Sequence, residues 1–280
     1  MNLIKFEDFS FKYSGQAQDF VLKDIDLEID QGKFILLSGI TGSGKTSLVR
    51  AMNGLIPQFY HGEMIGNVFV KGKNTREVPT SLLSKEVGLV FQNPENQLLA
   101  MNVEREIAFG PENLGIEWNE IDSRIKECLK VVNIEHLKKK APFELSGGEQ
   151  QRVAIASVLS LQPELIILDE PTSLLDPLGA IRILLLLKDL LQEKKVSTII
   201  VIEHRLDLVL PLSDEIILID KGRIIEQGKT HEVINGDNFL NIGLNLPKCV
   251  SVFQGLKNDK LYQGKLPLSV QESIEIIKMS

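Results

Sequence analysis

One segment constrains what this chain can fold into more than any other, because it sets two glycines and a lysine at fixed spacing. It matches the pattern G-x-x-x-x-G-K-[ST] at every fixed position, and its residues are Gly39-Ile40-Thr41-Gly42-Ser43-Gly44-Lys45-Thr46. The apolar run 34–38 before it is typical of a buried strand, and residues 47–53 after it are compatible with a helix. A strand, a glycine loop and a helix in this order predict a phosphate-binding site at the helix N-terminus.

The side chains of this loop have distinct predicted roles. Lys45 is expected to reach the β- and γ-phosphates of a nucleotide, and Thr46 is expected to offer its hydroxyl to Mg²⁺. Glycine is needed because a Cβ would block the close approach of a phosphate to the backbone. The alternative is a glycine-rich turn that only joins a strand to a helix. We predict that the nucleotide contacts the whole segment: Gly39, Ile40, Thr41, Gly42, Ser43, Gly44, Lys45, Thr46 and Ser47.

Length, charge and cysteine content limit the class of protein. The 280 residues, 43% of them hydrophobic, suffice for one large α/β domain or for a domain with a small appendage. The net charge of −7 disfavours non-specific binding to nucleic acid. Cys128 and Cys249 lie far apart, which argues against a disulfide framework or a zinc site and favours a reducing, cytosolic setting. No apolar stretch reaches the roughly 18 residues of a membrane span, and acidic residues interrupt the N-terminus, which argues against a signal peptide.

The hydrophobic pattern predicts an α/β fold. Residues 2–9 and 22–29 alternate between apolar and polar, as half-exposed antiparallel strands do. Continuous apolar runs that alternate with helical segments indicate a mainly parallel sheet covered on both faces. The predicted buried strands are 34–38, 87–91, 165–168 and 198–202. The other predicted elements are helical segments between 96 and 162 and over 176–192, a hairpin over 214–227 and a helix over 268–279.

Two carboxylates follow one of the buried strands. Asp169 and Glu170 come directly after the apolar run 165–168. In an open parallel sheet ligands bind at the carboxyl edge, so these residues should lie beside the phosphate loop. Asp169 is suited to hold Mg²⁺ through water, and Glu170 is suited to polarise the water that attacks a γ-phosphate. The alternative is an acidic turn that caps the next element.

A second glycine-containing segment narrows the class further. Its residues are Leu145-Ser146-Gly147-Gly148-Glu149-Gln150-Gln151-Arg152, and Ser146 with Glu149 has the spacing of a capping box for a helix over 147–161. A Ser-Gly-Gly run at a helix start presents a hydroxyl and free N–H groups, which is a second phosphate-binding surface. One chain seldom needs two such surfaces for one nucleotide. A head-to-tail dimer with the nucleotide between two chains would use both.

The phosphate loop, LSGGEQQR and LIILDEP, in this order, resemble the ATP-binding subunit of an ABC transporter over residues 3–235. The resemblance implies a P-loop NTPase core with a mixed, mainly parallel sheet, an N-terminal antiparallel β subdomain and a helical signature subdomain at about 93–162. These lie in an ATP-binding domain over 1–235, and residues 236–280 form a small extension, which we predict to contribute to a dimer contact. The resemblance also implies ATP and Mg²⁺ as cofactors. Ser146, Gly147 and Gly148 would contact the γ-phosphate held by the opposite subunit. The family usually has Gln where this chain has Glu149.

The same resemblance assigns four further residues. Tyr13 matches the aromatic residue that stacks on adenine, although a strand aromatic in the core is the alternative. Gln92 matches the glutamine that touches Mg²⁺ and senses the membrane partner. Asp176 matches the aspartate of the loop that crosses the dimer interface. His204 matches the histidine that contacts the γ-phosphate, whereas a lone histidine after a strand is most often a surface residue. The predicted catalytic residues are therefore Glu170, His204 and Gln92, and the predicted metal-binding residues are Thr46, Gln92 and Asp169.

Three segments resemble the ATPases of energy-coupling factor (ECF) transporters, which import vitamins and metal ions such as cobalt or nickel: 91–98, 108–115 and 203–205. In that branch, residues matching Glu95 to Leu99 form a short helix at a groove for a transmembrane coupling subunit. An exposed helix with apolar neighbours would offer a docking surface, whereas the alternative is a loop packed on its own domain. The apolar residues expected in this surface are Leu98, Leu99, Met101 and Val103. The implied partners are a second ATPase subunit, identical or a paralogue, a coupling subunit and a substrate-binding membrane subunit, with the chain peripheral at the cytoplasmic membrane face. The alternatives are a conventional ABC importer, a soluble ABC-type ATPase and a P-loop kinase.

Overall fold

The computed structural model describes residues 2–15 and 19–279. The strands are β1 (Asn2–Tyr13), β2 (Leu22–Asp30), β3 (Phe34–Ser38), β4 (Gly62–Val70), β5 (Lys73–Asn74), β6 (Val87–Val90), β7 (Leu165–Asp169), β8 (Thr198–Ile202), β9 (Glu215–Asp220) and β10 (Arg223–Lys229). The α-helices are α1 (Lys45–Met52), α2 (Leu55–Gln58), α3 (Thr80–Leu83), α4 (Val103–Asn113), α5 (Trp118–Val131), α6 (Gly147–Leu159), α7 (Pro177–Gln192), α8 (Leu206–Val209), α9 (Thr230–Val233), α10 (Asp237–Asn241), α11 (Lys248–Asn258) and α12 (Val270–Met279).

These strands form two sheets. The smaller sheet is antiparallel with the order β2-β1-β4-β5, and the larger has the order β10-β9-β3-β8-β7-β6. In the larger sheet β9, β3, β8, β7 and β6 are parallel to their neighbours, and β10 joins the edge as an antiparallel strand. The predicted fold class is confirmed: a mainly parallel α/β sheet lies beside an N-terminal antiparallel sheet.

The central strands are buried on both faces, which is why their sequences are continuously apolar. In β3, Phe34 and Leu36 pack into one hydrophobic core, whereas Ile35 and Leu37 pack into another. The first core joins the parallel sheet to α4, α5, α6 and α7. The second joins the same sheet to α1 and to the antiparallel sheet. The parallel sheet is therefore the middle layer, and its edges position the loops that follow the strands.

The predicted hairpin is present, formed by β9 and β10 around Lys221 and Gly222. Both turn residues have positive φ, 46° for Lys221 and 81° for Gly222. Positive φ at both central residues is the conformation that matches the twist of two antiparallel strands, and glycine adopts it without strain. The helix predicted over 147–161 is α6, which ends two residues earlier, at Leu159.

The C-terminal segment contains α10 and α11 in addition to the predicted last helix. Phe239, Val250, Phe253 and Leu266 are buried in the core that α4 to α7 share with the parallel sheet. The segment after residue 236 thus packs directly against the rest of the chain. Within the described ranges no helix combines the length and the hydropathy that crossing a membrane requires.

Candidate functional site

The parallel sheet brings the predicted site together at its carboxyl edge. Strands β3, β8 and β7 are neighbours in that order, and they end at Ser38, Ile202 and Asp169. The segments that follow are the phosphate loop, the turn with His204 and the turn with Glu170. Because parallel strands end at a common edge, three segments distant in sequence meet there. A cleft at this edge is lined by residues of all three segments, among them Lys45, Glu170 and His204.

The phosphate loop has backbone geometry that requires glycine at two positions. A Cβ at Gly39 would lie 2.1 Å from the carbonyl oxygen of Ile219, and one at Gly44 would lie 3.0 Å from that of Val21. Gly44 also has φ of 109° directly before α1. The loop is thus pressed against neighbouring backbone on one side. The hydroxyl of Ser43 is buried and has no hydrogen-bond partner in the described structure. The phosphate loop therefore contains a polar group that can still bond to a ligand.

Lys45 lies over this loop. Its side chain is 6% exposed, and its Nζ donates hydrogen bonds to the carbonyl oxygens of Gly39 at 2.7 Å and Ile40 at 2.9 Å. Burial lowers the pKa of Lys45, and the nearby carboxylates of Glu170 and Asp169 oppose that shift. A buried ammonium whose two partners are neutral carbonyl groups is stabilised when an anion binds beside it. The residues of the loop therefore fit a bound phosphate chain.

Oxygen donors suited to Mg²⁺ lie next to Lys45. Thr46 lines the same cleft as Asp169, whose carboxylate ends β7. Burial raises the pKa of Asp169, and the interaction with the Thr46 side chain is the main opposing effect. Gln92 lines the adjoining cleft together with Thr46 and Asp169. A hydroxyl, a carboxylate and an amide oxygen are ligands of the hard type that Mg²⁺ takes, with water completing the shell. This donor set fits the predicted metal.

The three predicted catalytic side chains are in direct contact. Gln92 Nε2 donates to Glu170 Oε2 at 2.6 Å, and His204 Nε2 lies 3.1 Å from Glu170 Oε1. Each oxygen of the Glu170 carboxylate thus has its own partner. Glu170 has φ of 48°, and its N–H donates to the carbonyl of Ile202, so the backbone around it is tied to β8. A non-glycine residue at positive φ is uncommon and occurs often at functional sites.

Tyr13 also reaches the site, through α1. Its hydroxyl is hydrogen-bonded to the Ser47 hydroxyl at 2.9 Å, and Arg50 Nη1 donates to the same phenol oxygen at 3.4 Å. The ring meets Phe11 edge to face with centroids 4.9 Å apart, and it meets Tyr60 in the same way at 6.2 Å. Tyr13 is therefore fixed beside the helix that begins with Lys45. Stacking on adenine stays a prediction.

The Ser-Gly-Gly segment lies apart from these residues. Ser146 caps α6, and Glu149 Oε2 accepts both its backbone N–H and its hydroxyl at 2.8 Å. Both hydrogen bonds from Ser146 lower the pKa of Glu149, and the bond from its backbone N–H has the larger effect. The clefts beside the phosphate loop are lined by other residues. Asp176 is likewise exposed, and its side chain caps α7 by accepting the N–H of Gly179 at 3.1 Å. The structure does not bring Ser146 or Asp176 to the phosphate loop of the same chain.

The segment after Gln92 is less exposed than the sequence suggested. Its helix is a single 3-10 turn, Pro94–Asn96, and Leu98 and Val103 are buried in the core. Of the four apolar side chains expected to form the docking surface, Leu99 and Met101 are therefore the exposed ones, at 78% and 89%.

A buried carboxylate, Glu106, shapes this segment from α4. Its Oε2 accepts the N–H groups of Leu99 and Ala100 at 2.8 and 2.7 Å. Glu106 is 5% exposed, so these bonds form away from water. They fix the backbone that presents Leu99 outward, since hydrogen bonds between backbone N–H groups and a carboxylate are strong.

The sequence singled out Glu203 only as part of the segment 203–205 and assigned it no role; it lies between β8 and His204. It is 3% exposed and accepts hydrogen bonds from two backbone N–H groups and from a threonine hydroxyl. A signal was present in the sequence, since a carboxylate directly after a buried strand and before a predicted catalytic histidine needs partners. The identity of those partners depends on the fold.

Replacing Gly39 by Ala is expected to destabilise the chain and to abolish nucleotide binding. The added Cβ would lie 2.1 Å from a backbone carbonyl oxygen, so the loop has to shift. We expect a loss of about 1–3 kcal/mol in the free energy of unfolding, measured by urea denaturation. Gly255→Ala is the matched control, because a Cβ in that helix meets no atom within 4 Å. A Gly39→Ala chain as stable as the control, with normal ATP affinity, would contradict this geometry.

Comparison with known proteins agrees with the geometry. The sequence profile of the family described as ABC transporter matches residues 22–173. A putative ABC transporter ATP-binding protein of Pyrococcus horikoshii is 47% identical over 279 residues, which cover 99% of this chain and 97% of that protein. The energy-coupling factor transporter ATP-binding protein EcfA1 of Ligilactobacillus salivarius is 43% identical over 247 residues, covering 88% of this chain and 85% of that protein.

A solved structure gives the same result. The structure of cbiO1 from Clostridium perfringens, described as part of the ABC transporter complex cbiONQ, is similar with a TM-score of 0.75 and 33% sequence identity. The similarity covers 90% of this chain and 99% of that one. This chain therefore belongs to the ABC transporter family as an ATP-binding subunit, and it is similar to the ATP-binding subunits of energy-coupling factor transporters.

Proposed function

We propose that this chain hydrolyses ATP to drive solute import through an ECF-type transporter that carries a vitamin or a transition-metal ion. The observation that supports hydrolysis most strongly is the contact of Gln92 and His204 with the two oxygens of Glu170, beside Lys45. The similarity to EcfA1 and to cbiO1 supports the ECF branch.

The roles of the side chains follow from their positions. Glu170 acts on the attacking water, and Gln92 and His204 hold its carboxylate in a fixed orientation. Lys45 leaves the carbonyls of Gly39 and Ile40 and binds the β- and γ-phosphates. Thr46, Asp169 and Gln92 would hold Mg²⁺, which would supply positive charge beside the phosphate oxygens.

The complete site is proposed to require a second ATPase chain. Ser146, Gly147 and Gly148 lie outside the clefts beside their own phosphate loop, and they start a helix whose N–H groups suit an anion. A partner turned head to tail would bring its own Ser146 to the γ-phosphate, with Asp176 near the shared interface. ATP then stabilises the closed pair, and hydrolysis allows it to reopen.

The coupling subunit is proposed to dock near Gln92. Leu99 and Met101 are largely exposed, Phe91 is 37% exposed, and all three lie within nine positions of Gln92 in the sequence. Exposed apolar side chains at such a site suit helices of a membrane partner. The chain is accordingly proposed to act at the cytoplasmic face of the membrane. The alternative is the ATPase of a conventional ABC importer, which would use the same catalytic residues.

Replacing Leu99 and Met101 by Asp is expected to prevent capture of a membrane partner. The test is affinity capture of the tagged chain from detergent-solubilised native membranes, with identification of every co-purifying chain. Recovery of a coupling subunit and a small substrate-binding membrane protein supports the ECF proposal, whereas a conventional permease pair supports the alternative. ATP affinity of the isolated variant should change less than about twofold, since exposed substitutions have small effects.

Ile65→Asp is the matched control for this variant. Ile65 is also an exposed aliphatic residue, 52% exposed, but it lies on β4 of the antiparallel sheet. It should leave capture unchanged. Equal capture by the wild type and by the Leu99/Met101 variant would rule out this surface as the docking site.

A further inference from the structure

The turn after β8 contains a buried carboxylate that the proposed hydrolysis does not use. Glu203 is 3% exposed and directly precedes His204. Its three hydrogen-bond partners are all donors, so both carboxylate oxygens act as acceptors. Burying a carboxylate is unfavourable unless such bonds replace its water. Their arrangement indicates what Glu203 does.

One oxygen of Glu203 fixes the backbone of the predicted catalytic histidine. Oε1 accepts the N–H of His204 at 2.9 Å and the N–H of Arg205 at 3.1 Å. This turn follows directly after Ile202, where β8 ends. The imidazole that contacts Glu170 therefore projects from a backbone held by Glu203.

The other oxygen reaches the segment that carries Glu170. Oε2 accepts the hydroxyl of Thr172 at 2.6 Å, and Thr172 is fully buried two residues after Glu170. Arg205 adds a second link, because its Nη2 donates to the carbonyl of Leu175, next to Asp176. The turn with His204 is thus bonded to residues 170–176 through Glu203 and Arg205, in addition to the contact of His204 with Glu170.

These contacts distinguish a positioning role from simple burial. A carboxylate needed only to cap the end of β8 would require no bond to Thr172. Here a single side chain bridges two segments whose catalytic groups, Glu170 and His204, must keep a fixed separation. Catalysis is sensitive to such separations, since a displacement of about 1 Å can reduce the rate on the order of 10²-fold.

We propose that Glu203 is a positioning residue, which through its bond to Thr172 holds His204 at a fixed distance from Glu170. Through the same contacts, movement of His204 or Glu170 is coupled to the loop with Asp176. The proposal rests on the proposed ATPase function. Glu203 itself contacts neither the nucleotide nor the attacking water. Loss of the bridge should slow turnover while leaving ATP binding intact.

The test compares Thr172→Val with Thr172→Ser. Valine keeps the shape of threonine and removes the hydroxyl, whereas serine keeps the hydroxyl. Thr172→Val should lower kcat about tenfold with the KM for ATP within about twofold, and Thr172→Ser should restore most of the rate. The matched control is Thr75→Val, since Thr75 is fully buried and its hydroxyl has no partner in the described structure. That control should keep the wild-type kcat.

A double-variant cycle identifies the route of the effect. In a His204→Ala background, Thr172→Val should cause little further loss of kcat, because both changes disturb the same contact. Wild-type turnover by Thr172→Val would overturn the proposal. So would a Thr172→Val change that lowers kcat by the same factor in the His204→Ala background as in the wild type. A rise in KM equal to the fall in kcat would do so as well. If the wild type itself hydrolyses no ATP in its purified complex, the proposed function fails instead.

Discussion

Glu170→Gln is expected to bind ATP with nearly wild-type affinity and to hydrolyse it about 10²- to 10⁴-fold more slowly, the range for loss of a general base. The amide has almost the shape of the carboxylate but cannot take a proton from water. Gln92 and His204 lie within hydrogen-bond distance of both carboxylate oxygens, so the variant should stay folded in the same site. Phosphate release under single-turnover conditions measures the effect.

Glu112→Gln is the matched control for this change. Glu112 is an exposed residue near the end of α4, where it pairs with Arg105 at 3.3 Å. Turnover by this control should equal that of the wild type. A normal hydrolysis rate in Glu170→Gln would remove Glu170 from the role proposed for it.

Lys45→Met is expected to weaken ATP binding roughly 10- to 100-fold, the loss associated with one charge-assisted hydrogen bond or more. Methionine keeps an unbranched apolar stem in a site that is 6% exposed, but it has no ammonium for the phosphates. The two loop carbonyls that Lys45 contacts also lose their donor. Equilibrium binding of a fluorescent ATP analogue, with Mg²⁺ present, measures the affinity.

Lys130→Met tests whether loss of any lysine has this effect. Lys130 is exposed on α5, away from the phosphate loop. The ATP affinity of the Lys130→Met variant should match that of the wild type, and ATP should raise the melting temperature of both chains equally. A Lys45→Met chain that ATP stabilises equally well would show that the phosphates bind elsewhere.

The buried strands and the motifs were predictable from sequence because each depends on local pattern. The apolar run 34–38 is β3 with the same ends, and 198–202 is β8. A strand covered on both faces has to be apolar throughout, so it can be recognised from its own sequence without knowledge of its neighbours. The order of β3, β8 and β7 then brings Glu170 and His204 to the phosphate loop, as the rule for parallel sheets predicts.

Features that depend on tertiary contact were not predictable. Leu98 and Leu99 are adjacent and chemically identical, yet one is 9% exposed and the other 78%. The difference arises from the turn that Glu106 fixes through its bond to the N–H of Leu99. The bridge from Glu203 to Thr172 spans 31 positions, and no periodicity relates those residues. The helix α11 packs on a core built by earlier segments, so its mixed sequence carried little signal.

The most direct test of this account is the mass of the Glu170→Gln chain in sedimentation velocity, with and without ATP and Mg²⁺. The account predicts a monomer without nucleotide and a dimer with nucleotide. The dimer consists of two copies of this chain, or of this chain and the second ATPase subunit that co-purifies with it. Adding Ser146→Arg should abolish the dimer, since Ser146 is proposed to meet the partner's nucleotide. An unchanged mass under all these conditions, with ATP bound, would contradict a site shared between two chains.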